Sequence, residues 1–277
     1  SILGTKSAVA ELAQKLVEYE MGDVVLYVGE NLSYPDEKLF TFYLDEFETK
    51  LFDLPEGVYT CLIENEDCEE QILTPGMDDE IFSRTKVPMT KNEVRVLSIS
   101  RLELTKKAVV YDVGSGTGSV SAECARLSHD IVVFAIEQKE EAANLTKENA
   151  ARLGLSDQIV VINKKAPEGF EELPTPTHVF IGGSSGVLSD ILSAIQKKLI
   201  VKENTKGVRV VINAVSLETI AQITKLIQTY PVKHVQLTQI QASRAHKLGS
   251  YNLMQAQNPV LIASFNLLPD DKMEADE

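Results

Sequence analysis

Over residues 5–20, "TKSAVAELAQKLVEYE", apolar side chains recur at Val9, Leu12, Ala13 and Leu16. That spacing predicts a helix, with Thr5 or Ser7 available to cap its start. The pattern then shortens. "DVVLYVGEN" (23–31) and "GVYTCLIEN" (57–65) are compact apolar runs and predict strands. "PDEKLFTFYLDEFETK" (35–50) reads as a turn followed by a helix or mixed segment. Residues 66–91 are polar and acidic and are interrupted by Pro75, Gly76 and Pro88. Within them, residues 67–89 read as a linker between a front piece, 1–66, and a larger domain, 90–277.

From residue 90 onward the pattern alternates. A helical period over 90–104 is followed by strand-like runs at 108–113, 131–137, 158–164, 178–182, 208–214, 234–243 and 258–266. Helical spacing fills the gaps at 119–128, 140–153, 187–199 and 216–228. Such alternation implies an α/β fold, a mostly parallel seven-stranded sheet with helices on both faces. The last two strands have little helix between them, so one of them is expected to run antiparallel at an edge. The front piece is too short to make a comfortable domain alone.

Charge separates the same two parts. Residues 1–80 hold 20 acids and 4 bases, whereas residues 81–277 hold 21 acids and 23 bases. Neither part carries the strong basic stripe that a phosphate backbone requires, which argues against nucleic-acid binding. No apolar run approaches the roughly 20 residues that cross a bilayer, so no membrane association is expected. The N-terminus lacks the basic start and cleavage site of a secretory leader. The three cysteines, Cys61, Cys68 and Cys124, form no CxxC pair. A reduced, cytoplasmic protein is the expectation. His129, His178, His234 and His246 are scattered without metal-ligand spacing, so no metal is expected and surface or loop positions are.

The chemistry concentrates in "VVYDVGSGTGSVSAECA" (109–125). An apolar strand ends at Asp112, three glycines follow at Gly114, Gly116 and Gly118, and a helix begins. Glycines between a strand and a helix let the backbone approach a ligand closely. The dinucleotide fingerprint fails, because its third glycine falls on Ser119, and no Gly-Lys-Ser/Thr follows to make a P-loop. A carboxylate at Asp112 would repel a pyrophosphate and attract an ammonium or sulfonium cation. Glu137 ends the next strand, where an acid can accept hydrogen bonds from two ribose hydroxyls. Together these residues favour S-adenosylmethionine, which carries both cations and no phosphate. The competing reading is a plain turn in which Asp112 caps the helix.

Several segments carry a closer resemblance. "VPMTKNEVRVLSISRLEL", "VVYDVGSGTGSVSAECARL", "VFAIEQ", "KAPEGFEELPTPTHVFIGGSSGVLSDIL", "VVINAVSLET" and "LGSYNLMQAQNPVLIAS" resemble the decarboxylating precorrin/cobalt-precorrin carbon-15 methyltransferases of cobalamin biosynthesis, over residues 87 to about 266. The glycine loop is common to class I S-adenosylmethionine-dependent methyltransferases, with their Rossmann-like sheet; "PMTK…EVR", "IGGS" and "NAVSLET" are more specific. The front piece resembles the C-terminal part of the carbon-5 precorrin methyltransferase, a tetrapyrrole methylase fused to the carbon-15 enzyme in many bacteria. The first half of that partner, with its own cofactor loop, has no counterpart here, so residues 1–66 are expected to be a remnant, inactive alone.

The resemblance implies transfer of a methyl group from S-adenosylmethionine to carbon 15 of a tetrapyrrole, with loss of carbon dioxide from the ring C acetate. The macrocycle can serve as the electron sink, so no metal or pyridoxal cofactor is demanded. A homotetramer is implied as well. Cofactor contacts carry over to Thr90, Gly114, Ser115, Gly116, Thr117, Gly118, Glu137 and Ala166, beside the Asp112 of the charge argument. Thr90 could equally cap the 90–104 helix, with Glu93 completing a capping box. Lys165 stands where the family often has a small or acidic residue. Gly182, Gly183 and Ser184 end the fourth strand and Asn213 ends the fifth, at the edge where doubly wound sheets bind ligands. The substrate carries many carboxylates, which makes Lys91, Arg244 and Lys247 candidate partners, with His246 and Tyr251 beside them. Two other readings stay open: a methyltransferase of RNA or protein, and a scaffold that keeps the fold without activity.

Overall fold

The computed structural model describes residues 2–18, 24–43, 54–65, 74–201 and 207–270. The chain divides into two compact units, Ser1–Ile72 with Ala151–Gly154, and Leu73–Ala150 with Leu155–Glu277.

In the first unit a four-stranded antiparallel sheet, in the order β1 (Ile2–Leu3), β4 (Tyr59–Asn65), β2 (Val24–Glu30), β3 (Lys38–Tyr43), accompanies helix α1 (Lys6–Glu18). The predicted helical stripe is the buried one: Val9, Ala13 and Leu16 pack with Val24, Leu26, Val28, Phe42, Tyr59 and Cys61. Thr5 Oγ1 accepts the Ala8 backbone N–H at 3.3 Å and caps the helix. The helix or mixed segment expected after residue 35 is instead strand β3 over its described part. Phe42 points into the core there while Thr41 and Tyr43 stay outside, a two-residue alternation set by pairing with β2. The remainder of that segment, 44–50, lies outside the described residues.

The second unit is built on a seven-stranded sheet. Its strands are β5 (Val109–Val113), β6 (Val132–Ile136), β7 (Ile159–Ile162), β8 (His178–Ile181), β9 (Val208–Ala214), β10 (Val232–Ile240) and β13 (Val260–Leu267). The order is β10-β13-β9-β8-β5-β6-β7. Strands β5 to β9 are parallel, and β13 runs antiparallel between β9 and β10. The antiparallel strand is therefore one place in from the edge, because β13 doubles back to pair with both neighbours. Helices α2 (Asn92–Leu102), α3 (Ser119–Ala125), α4 (Glu140–Arg152), α5 (Leu188–Val201) and α6 (Leu217–Thr229) fall close to the predicted spans. One sheet face, with Tyr111, Val113, Val179, Ile181, Val210 and Ile212, packs on Ile191, Ile195 and Leu199 of α5 and Ile223 and Leu226 of α6. Burial of this kind contributes about 25 cal/mol per Å² of apolar surface. The alternate strand residues, among them Val110 and Asp112, point to the other face.

Three features depart from the sequence pattern. Between β10 and β13 stands a hairpin, β11 (Ser243–Leu248) with β12 (Tyr251–Ala256), where only a strand ending at 243 is expected. His178, expected at the surface or in a loop, is buried at the start of β8, where its Nδ1 lies 2.7 Å from Thr177 Oγ1; burial holds its pKa below the ordinary value. The linker expected over 67–89 belongs, from Leu73 on, to the second unit. Asp79 and Phe82 are buried in it. Among the described residues no helix is long and apolar enough to cross a membrane.

Candidate active site

From the neighbouring parallel strands β5 and β8 the chain passes to β6 and β9 on opposite sides of the sheet, and the loops after β5 and β8 meet at this switch point. Backbone N–H groups of Gly182 and Gly183 both donate to Val113 O, at 3.0 and 3.3 Å. Gly114 has φ +75°, and a Cβ on it would stand 2.7 Å from Gly183 O. Only glycine fits there. A Cβ on Gly116, at φ +60°, would meet Pro88 O at 2.9 Å. The glycine loop is thus pressed between the β8 loop and the segment leading into α2.

Helix α4 holds the loop from beneath. Thr146 Oγ1 donates to Gly116 O at 3.1 Å and lies 3.2 Å from Ser115 Oγ. Asn149 Nδ2 donates to Thr117 O at 2.9 Å and to Ser83 O at 3.0 Å, while its Oδ1 accepts the Ser83 N–H at 2.8 Å. Thr146 and Asn149 are three residues apart, so one helix face presents both. Glu137, 8% exposed at the end of β6, accepts the Gly116 N–H at 3.1 Å and the Lys139 N–H at 2.9 Å, one on each carboxylate oxygen. Its orientation is fixed, and each oxygen keeps a lone pair for a further donor.

A cleft of about 1200 Å³ opens over these loops. Of the cofactor candidates, Thr90, Gly114, Ser115, Gly116, Glu137 and Ala166 line it. Of the substrate candidates, Lys91, Gly182, Gly183, Ser184, Asn213, Arg244 and His246 line it. Thr117 and Gly118 sit behind the loop, where a Cβ on Gly118 would be 2.7 Å from Thr146 Cγ2. Lys247 and Tyr251 are exposed near the hairpin turn, away from the wall.

Asp112 is corrected more sharply. It is 1% exposed, accepts from Ser121 Oγ at 2.5 Å, and does not reach the cleft. Burial pushes its pKa up to about 6, against the lowering effect of the Ser121 hydrogen bonds. The strand alternation that packs Val113 against α5 turns Asp112 to the opposite sheet face, under Ser121 of α3, so its charge is not offered directly to a ligand. The capping box expected at Thr90 is also replaced. Lys91 is the N-cap residue, without a side-chain cap, and Asp79 Oδ1 accepts the Asn92 N–H at 3.1 Å. Glu93 turns instead to Arg244, which donates to it through Nε and Nη2, both at 2.7 Å. That pairing holds the Glu93 carboxyl below its ordinary pKa.

An ionic network, not legible from the sequence, fixes the wall formed by residues 76–90. Arg95 is fully buried; it donates to Glu123 at 3.0 Å, to Asp79 at 3.2 Å, to Thr90 O at 2.7 Å, and to Met77 O. Its guanidinium also lies 5.0 Å from the centre of the Phe82 ring. Glu123 takes the backbone N–H groups of Gly76 and Met77 at 3.0 and 2.8 Å. Burial would raise the Asp79 pKa, but hydrogen bonds from Arg244 and Arg95 outweigh it and hold the group lowered. These partners are distant in sequence, and no spacing rule connects them.

The cleft is strongly cationic in a chain of net charge −14. Seven of its described lining side chains are Lys or Arg and two are Glu. With three glycines pressed into the cradle and a carboxylate at the neighbouring strand end, the arrangement fits a nucleoside bearing a cation, beside an anionic second ligand.

A family profile described as "Precorrin methyltransferase domain" matches residues 80–266. A protein of Pyrobaculum calidifontis, named "Probable cobalt-precorrin-6B C(15)-methyltransferase (decarboxylating)", is 39% identical over 68% of this chain and 94% of its own. A protein of the same name from Saccharolobus solfataricus is 33% identical over 71% and 98%. Among solved structures, a precorrin-6Y C5,15-methyltransferase from Geobacter metallireducens superposes with TM-score 0.63 at 30% identity, covering 69% of this chain and 96% of that one. A precorrin 8W decarboxylase from Methanobacterium thermoautotrophicum gives TM-score 0.62 at 31% identity, covering 69% and 100%.

Proposed function

The chain belongs to the precorrin methyltransferase domain family, and on that premise we propose that it moves a methyl group from S-adenosylmethionine to carbon 15 of a precorrin or cobalt-precorrin, with decarboxylation of the ring C acetate, in cobalamin biosynthesis. The observation that carries the reading is the glycine cradle with Glu137 bound to its Gly116 N–H, opening on a cationic cleft. Bound S-adenosylmethionine supplies an electrophilic methyl group on a sulfonium. Gly114, Ser115 and Gly116 would hold its amino-acid end, Glu137 would accept from its ribose hydroxyls, and Thr90 and Ala166 would flank it. Gly182, Gly183 and Ser184 leave room for a flat macrocycle to come close, and Asn213 stands at the cleft floor.

Asn213 has a defined task in this arrangement. Ser98 Oγ lies 2.7 Å from Val94 O and 3.1 Å from Asn213 Oδ1, the two acceptors for its one proton, and accepts from Asn213 Nδ2 at 3.0 Å. The amide is held by that bond and keeps hydrogen-bonding capacity for the substrate. The protein's contribution is then positioning and electrostatics, with the macrocycle receiving the electrons that decarboxylation releases.

The enzyme is read as cytoplasmic, a reading supported by the buried free thiols Cys61 and Cys124. Residues 1–66 are read as similar to the C-terminal part of a tetrapyrrole methylase. The homotetramer is read from the family resemblance; exposed Leu248, Tyr251, Leu253 and Met254 on the hairpin offer apolar surface for self-association, which light scattering tests. The site itself is tested by calorimetric titration with S-adenosylmethionine. Binding at micromolar concentration that is lost in Gly114→Ala is expected; absence of binding to the wild-type protein overturns the proposal.

A further inference from the structure

We propose that Arg84 and Lys86 are specificity-determining residues that take the peripheral carboxylates of the substrate; the inference rests on the tetrapyrrole reading above. Three of the seven cations on the cleft wall are already paired. Arg244 is held by Glu93 and Asp79, Lys91 Nζ lies 3.6 Å from Asp79, and Lys164 Nζ lies 3.6 Å from Glu172. Lys91 and Arg244, the cations expected from the sequence, each have a carboxylate partner within the chain. Arg84, Lys86, Lys139 and Lys165 have no ion-pair partner among the described residues, and all four are exposed.

The segment that carries Arg84 and Lys86 is fastened on alternate residues. Ser83 exchanges two backbone hydrogen bonds with Asn149, and Thr85 Oγ1 donates to Glu141 at 2.5 Å. Further along, Pro88 O packs over Gly116 and Thr90 O is held by Arg95. Residues 83 and 85 are thus tied to α4, while residues 84 and 86 between them line the cleft. The two cations are displayed from a backbone that does not have to be ordered on binding, which lowers the entropy cost of the contact. Arginine at 84 adds a planar fork suited to a carboxylate, and Lys86 adds a point charge. S-adenosylmethionine is a poor partner for them, because its sulfonium and ammonium outweigh its single carboxylate. A macrocycle edged with ionised acetates and propionates is the complementary ligand.

The test compares wild type, Arg84→Ala/Lys86→Ala and Arg84→Lys/Lys86→Arg, using uroporphyrin III as the polycarboxylate probe and S-adenosylhomocysteine as the cofactor probe. Binding is read by absorbance and calorimetry at about 50 and about 200 mM salt. The alanine pair is expected to weaken uroporphyrin binding about tenfold and to flatten its salt dependence. S-adenosylhomocysteine binding should stay unchanged, and the charge-conserving pair should retain uroporphyrin. Unchanged uroporphyrin binding in the alanine pair overturns the assignment, as does a parallel loss of S-adenosylhomocysteine, which would make the cofactor the partner. Equal loss in the charge-conserving pair also overturns it, since shape would then matter and charge would not. A wild-type protein that binds S-adenosylhomocysteine but no uroporphyrin takes down the tetrapyrrole reading itself and the assignment with it.

Discussion

Arg244 and Asp79 stand 165 positions apart in the chain, and their side chains meet at 2.9 Å. The same Asp79 carboxylate accepts from Arg95 on its other oxygen. One buried acid therefore joins the β11 strand of the hairpin to the wall that carries Thr90, and so joins two sides of the cleft.

Asp79 is 2% exposed and Arg95 is fully buried, so removing the acid leaves Glu123 as the one carboxylate, among the described residues, on that buried cation and takes the acceptor from the Asn92 N–H. Asp79→Ala is expected to cost about 3 kcal/mol, the lower end of the range for breaking a buried pair, because Glu123 still neutralises Arg95. Arg244→Ala should cost about 1 kcal/mol or less, because its side chain is 38% exposed and Asp79 keeps its other partners. Urea unfolding midpoints of the two variants check the order; equal losses would contradict the account.

Acid stability should show two opposed slopes. Asp79 and Glu93 fold with lowered pKa, so their stabilisation is complete above the ordinary carboxylate range and is lost as pH falls through the lowered values. Asp112 runs the other way. Its pKa rises from 3.8 to about 6, so the folded state binds the extra proton between those values. Its contribution weakens as pH rises through that window and is level above it. Asp112→Asn, compared with wild type by urea unfolding from about pH 4 to about pH 7, should remove that component. An identical pH profile for the two proteins would contradict it.

Two glycines on touching loops should respond differently. Gly114→Ala meets both a positive φ and Gly183 O at 2.7 Å, whereas a Cβ on Gly183 has nothing within 4 Å. Gly114→Ala should destabilise by about 1–3 kcal/mol and abolish S-adenosylhomocysteine binding. Gly183→Ala should keep both stability and cofactor binding, as read by thermal unfolding and calorimetry.

Glu137→Gln tests the strand-end acid. Glutamine offers one acceptor oxygen where two backbone N–H groups now need one each. S-adenosylhomocysteine binding should weaken by about tenfold to a hundredfold, the range for losing a charged hydrogen-bond partner. Calorimetric titration of both proteins measures it.

Much of the second unit was legible in the sequence because β5, β6, β8 and β9 are buried on both faces and its helices are amphipathic. The hairpin was not. Every residue of β12 is exposed, and β11 has only Arg244 partly covered, so no buried face imprinted an alternation. Residues 74–89 read as a linker because acids and prolines dominate, yet Asp79 is buried there by arginines encoded far downstream. The glycine loop and Glu137 were readable from spacing. That Asp112 faces inward, and that Lys91 and Arg244 are committed to Asp79 and Glu93, follows only from tertiary placement.

The most direct test of the central claim is the mass of the product formed from S-adenosylmethionine and the cobalt-precorrin substrate. Gain of one methyl group together with loss of one carbon dioxide is predicted. A product that gains the methyl group and retains the carboxylate would contradict the decarboxylating reaction, and an unchanged substrate would contradict the methyl transfer itself.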